Sequence, residues 1–122
     1  MALPPLNSFA DVQNFFNDFI TKNGIDIAGS PHGVFWNTYS DFVNGNVPNV
    51  FYPNSTTPVS ILCKGNGKQS NIIYALAGTP GTPWDPNNPN AYFPRMPAPK
   101  GPYFSADQIQ QLSDWITNGC PE

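Results

Sequence analysis

The stretch Arg95-Met-Pro-Ala-Pro-Lys-Gly-Pro-Tyr-Phe-Ser-Ala-Asp-Gln-Ile-Gln-Gln-Leu-Ser-Asp-Trp-Ile-Thr-Asn-Gly-Cys-Pro-Glu122 sets the reading of the whole chain. A proline-rich loop carrying Met96 runs into Ser105, whose hydroxyl is placed to cap a helix while Gln108, three residues on, returns the bond in a capping box. Ile109, Leu112, Trp115 and Ile116 then fall at helical spacing on one face. Gly119 stands where a left-handed residue closes a helix. An amphipathic helix is therefore predicted between Ser105 and Gly119.

Upstream, Ser8 opens a second segment of the same kind. Phe9, Val12, Phe15, Phe16, Phe19 and Ile20 repeat at three and four, and Asn23-Gly24 ends the run. Thr38 and Asp41 fit the start of a short helix carrying Tyr39, Phe42 and Val43. Ser70 is placed to cap a further helix over Asn71 to Ala77, with Ile72, Ile73 and Leu76 inward and Gly78 at its end. Between these, Val47 to Leu62 is rich in β-branched residues but is cut by Pro48, Pro53 and Pro58, so any strand there is brief or at an edge. Thr79 to Phe104 carries eight prolines and no periodicity. It reads as a long ordered loop around Trp84, Tyr92, Phe93 and Met96, and loops of that length usually have a function.

A chain of 122 residues fits one domain around one core. Fifteen prolines and ten glycines beside nine Phe, five Tyr and three Trp describe a loop-rich globular protein with a bulky interior. The formal charge is −3. Its five cations are scattered along the chain, which leaves no footprint for a phosphate backbone, so nucleic acid is not an expected partner. No apolar run approaches the roughly 20 residues that span a bilayer, and no signal peptide is read at the N-terminus. Cys63 and Cys120 form an even pair that fits a single disulfide, a pairing that sequence alone does not place in space. Such a bridge stabilises by about 2 to 4 kcal/mol and belongs to a periplasmic or secreted protein.

The sequence offers little for catalysis. Its one glutamate, Glu122, is the last residue, and no carboxylate pair is visible. No serine sits in a nucleophile elbow, and one histidine with two distant cysteines lacks metal-site spacing. Lys64 to Ser70 is not a phosphate loop, because Gln69 separates Lys68 from Ser70. No catalytic residue and no metal site are assigned, and the protein is read as a non-enzyme. An enzyme would need a groove lined by Asp41, Asp85 or Tyr92. His32, the sole imidazole, stands between Pro31 and Gly33, where a ring commonly bonds a backbone carbonyl. Paired with the thioether of Met96, it would supply the two axial ligands of a haem.

Taken together, the order of features resembles the class I cytochrome c domain over nearly the whole chain. Ala10 to Phe16 looks like the first helix of that family, Ser70 to Leu76 like its middle helix, Arg95-Met-Pro97 like its methionine loop, and Leu112 to Gly119 like its last helix. Ala28-Gly-Ser-Pro-His-Gly33 matches the haem-attachment motif in frame, with Ala28 and Pro31 at the two cysteine positions. No thiol stands where the haem vinyl groups would be captured, so covalent haem is excluded.

The resemblance implies an all-α fold, a monomeric bundle of about four short helices with long proline-rich loops and no haem. The space left is expected to be filled by side chains, since empty apolar volume costs about 24 cal/mol per Å³. The expected function is that of a binding or accessory module for a protein partner or small apolar ligand. Its working surface is expected at His32, Phe35, Trp36, Trp84, Tyr92, Phe93 and Met96. The alternative is an electron carrier holding noncovalent haem through His32 and Met96.

Overall fold

The computed structural model describes residues 3–26, 34–89, 93, 95–96 and 102–122. Helix α1 (Phe9–Asn23) begins where the Ser8 hydroxyl accepts the Asp11 N–H. It ends at Gly24, whose φ of 63° lets Ile25 donate back to the Ile20 carbonyl. Its repeat buries Phe9, Val12, Phe16 and Phe19, with Phe15 and Ile20 packed at the edge of the same core. Helix α2 (Tyr39–Asn44) starts on Thr38, whose hydroxyl accepts from Asp41, and buries Phe42 and Val43.

The all-α expectation is overturned by the next segment. Strands β1 (Asn46–Phe51) and β2 (Pro58–Ser60) pair antiparallel, with Asn46 opposite Ser60 and Phe51 opposite Pro58, so the fold is mixed α/β. The prolines allow a strand here if it is brief or at an edge, and both strands of this ribbon are edges. In a two-stranded ribbon each strand turns one side away from its partner, and an absent N–H on that side breaks no ladder bond. Val59 is fully buried, and the register shifts between Asn46 and Phe51, where Asn49 adopts a φ of 61°. Five steps along β1 face two along β2, and extra residues on one strand bend a ribbon in this way.

A tight turn of 3-10 helix at Gly67–Gln69 leads into α3 (Asn71–Ala77). Ser70 does occupy the N-cap position of α3, but its hydroxyl does not cap the helix. It turns back, accepting the Cys63 N–H at 2.8 Å and donating to the Asn66 carbonyl at 2.9 Å. The helix start is held instead by Asn71, whose amide donates to the Ser60 carbonyl, and by Ile72, whose N–H reaches the Ile61 carbonyl. Both bonds tie α3 to the end of the ribbon.

Helix α4 (Ala106–Thr117) carries the complete capping box of Ser105 and Gln108. Gly119, at φ 95°, closes it and returns its N–H to Ile116. Leu112, Trp115 and Ile116 face the main core with α1 and α2, and the Phe9 and Trp115 rings lie 6.5 Å apart. A smaller cluster gathers Val59, Ala75 and Trp84, and both Val47 and Met96 pack against the two clusters.

Candidate functional site

The residues expected to form a contact surface are divided by the fold. Trp36 is 4% exposed and stacks on Phe16 at 4.7 Å, with its indole N–H on the Asn17 side chain. Trp84 is 5% exposed and lies against Phe93 at 5.1 Å. Phe35 packs into the core beside Phe42, and Met96 sits half-buried with its N–H on the Ala75 carbonyl at 2.9 Å. These side chains face inward and build the two clusters. The rings of Trp36 and Trp84, expected to offer contact area, are therefore spent on packing. His32 and Tyr92 lie outside the described residues, as do Ala28 and Pro31 of the attachment-like motif.

The aromatic interior is continuous around α1. Phe104, next to the cap of α4, stacks on Phe19 at 3.7 Å and on Phe15 at 5.0 Å, while Phe16 stacks on Trp36. Flat rings thus occupy the space beside the first helix, and the Met96 side chain is already packed against both clusters. Among the described residues no three His, Cys, Asp or Glu side chains converge on one point. Asp85 is buried, and its carboxylate oxygens accept from the Gly81 and Asn87 N–H groups, which folds the 81–87 segment on itself.

An open cleft of about 300 Å³ lies between α3 and α4. Ile73, Ala77, Phe104 and Ile109 give it an apolar floor, and Lys68 and Arg95 bring two cations to it. Arg95 is fixed in place: its Nε donates to the Leu76 carbonyl at 3.1 Å, and the guanidinium lies 4.2 Å over the Tyr103 ring. The turn after α3 makes room for it. A Cβ on Gly78, whose φ is 59°, would come within 2.8 Å of the Arg95 Cδ. Lys68 is exposed on the 3-10 turn. Sequence reasoning missed this cleft, because its residues come from four separate segments and those already singled out, such as Ile73 and Ile109, were read as core.

The turn that carries Lys68 is docked on the end of α4. Gly65 donates to the Ile116 carbonyl at 3.0 Å and Gly67 to the Thr117 hydroxyl at 2.9 Å. Cys63 and Cys120 are both free thiols, the first exposed and the second buried, so the expected bridge is not closed in this structure. Burial pushes the Cys120 thiol up to about 11, against opposing effects of Lys64 and the Gly65 N–H. Among the described residues no helix is long and apolar enough to cross a membrane. No protein-family model, no curated protein and no solved structure matches this chain.

Proposed function

We propose that this chain is a non-enzymatic binding module on a haem-free, cytochrome c-like arrangement of helices, and that it takes a small, largely apolar ligand bearing an acid group. The cleft between α3 and α4 carries the reading. Its floor of Ile73, Ala77, Phe104 and Ile109 suits an apolar body, and the two cations, Lys68 and a held Arg95, suit an anionic end. Few, well-placed polar groups around an apolar surface are the usual make-up of a small-molecule site. The haem-free arrangement is supported by the approach of Phe9 to Trp115, which joins first and last helices, and by the rings stacked beside α1.

Octanoate is a suitable probe, with octanol as its uncharged counterpart. Titration followed by amide chemical shifts is expected to perturb residues 68–77 and 104–113, more strongly with octanoate. Lys68→Glu is expected to weaken octanoate binding about fivefold, which corresponds to about 1 kcal/mol. Shifts that are scattered over the surface, or unchanged in Lys68→Glu, would reject the site. The absorbance spectrum of the purified protein is expected to lack a Soret band, and a band abolished by His32→Ala would reject the haem-free arrangement.

A further inference from the structure

Four observations place the segments that carry the two cysteines at one end of α4. The Cys63–Asn66 turn is closed by the Asn66 N–H on the Cys63 carbonyl. Gly65, within that turn, donates to the Ile116 carbonyl at 3.0 Å. The same carbonyl faces the Cys120 sulfur at 3.9 Å. Gly67 is drawn onto the helix by the Thr117 hydroxyl, and a Cβ at Gly67 would lie 2.7 Å from the Ser113 carbonyl carbon. The turn that begins at Cys63 is thus seated on the helix end that delivers Cys120, with a single carbonyl shared between them.

The two thiols are unequal. Cys63 is exposed on its turn, whereas Cys120 is 1% exposed. An external disulfide can reach the first and is shielded from the second. We infer that Cys63 and Cys120 form a redox-closable pair, in which Cys63 takes an incoming low-molecular-weight disulfide and Cys120 resolves it into an intramolecular bridge.

With oxidised glutathione the steps balance. The Cys63 thiolate attacks one sulfur of glutathione disulfide, forming a mixed disulfide and releasing one glutathione thiolate. The Cys120 thiolate then attacks the Cys63 sulfur, forming the protein disulfide and releasing the second glutathione. Two protein thiols are oxidised, one glutathione disulfide is reduced to two thiols, and the two protons lost by the protein pass to glutathione. The high thiol pKa of Cys120 slows the second step at neutral pH, since the thiolate is the attacking species. That step speeds up as the solution is made more alkaline.

The test uses the full chain, reduced and then exposed to oxidised glutathione, with intact mass and peptide mapping as readouts. The expected product is lighter than the reduced protein by two hydrogens, with Cys63 and Cys120 in one crosslinked peptide and a raised thermal midpoint. Cys120→Ser is expected to stop at one stable glutathione adduct on Cys63. Cys63→Ser is expected to remain unmodified while folded. A wild-type product that retains glutathione on Cys63 at alkaline pH, or bridges only after denaturation, would overturn the pairing. So would faster modification of Cys120 in Cys63→Ser than of Cys63 in Cys120→Ser.

Discussion

The Tyr39 hydroxyl donates to the Cys120 carbonyl at 2.6 Å, joining the first residue of α2 to the segment beyond α4 across 81 positions of chain. Cys120 itself stands at a φ of 55°, uncommon for a residue with a side chain. The phenol thus holds a backbone conformation that local preference opposes. Tyr39→Phe is expected to destabilise the protein by about 1 kcal/mol. Urea unfolding should show a lower midpoint with an unchanged slope.

Gly67 and Gly65 are two residues apart and are required for different reasons. At Gly67 a Cβ would overlap the carbonyl oxygen and hydroxyl of Ser113, whereas at Gly65 it would meet nothing within 4 Å but would sit at a φ of 87°. Gly67→Ala is expected to cost about 1 to 3 kcal/mol by forcing the turn off α4. Gly65→Ala is expected to cost about 1 kcal/mol through backbone strain alone. Combining Gly67→Ala with Ser113→Gly should recover only part of the loss, because the backbone carbonyl remains. Denaturation midpoints of the three variants check this ranking.

Ser70 is fully buried and serves the turn before it. Ser70→Ala leaves the Cys63 N–H without its partner and takes from the Asn66 carbonyl one of its two donors, the other being the Gln69 N–H, and about 1 to 3 kcal/mol should be lost. Ser70→Asp, a better helix cap in general, should not rescue the variant, because the hydroxyl is needed as a donor as well as an acceptor. Thermal unfolding of the two variants distinguishes a turn role from a capping role.

The raised thiol pKa of Cys120 carries a pH signature under reducing conditions. The thiol moves from 9.0 to about 11 on folding, so between these values the unfolded chain loses its proton first. Fewer protons bound in the unfolded state means that stability falls as pH rises through this window. The expected contribution is about 1 to 2 kcal/mol. It is read as the difference between the wild type and Cys120→Ala from pH 8.5 to 11, which removes the background of other groups titrating there.

The sequence makes its local signals legible and its non-local ones much less so. Ser105 and Gln108 are a self-contained unit, and their capping box stands in the fold as read. The periodic faces of α1 and α4 turn the residues expected of them to the core, with Phe15, Ile20 and Ile109 half-buried at its edge, because helical spacing already specifies a face. Ser70 was read as a cap from its position, yet its hydroxyl found stronger claims in the turn behind it. Val47 to Leu62 reads as allowing a strand only if brief or at an edge, and both strands of the β1–β2 ribbon are edges; it is the all-α class, taken from the family resemblance, that the ribbon overturns. Trp36 and Trp84 looked like surface because they stand in loops without periodicity. Their burial depends on rings supplied from elsewhere, Phe16 for one and Phe93 for the other.

The burial of all three tryptophans gives the molecule an optical property. Trp36, Trp84 and Trp115 are at most 5% exposed, so native emission should be blue-shifted and poorly quenched by acrylamide. Trp36 and Trp115 belong to the main cluster and Trp84 to the smaller one. Single-tryptophan versions therefore separate two signals that the wild type merges. A red shift that reaches Trp84 before Trp115 would mean that the proline-rich segment lets go of the ribbon and α3 while the helices remain assembled.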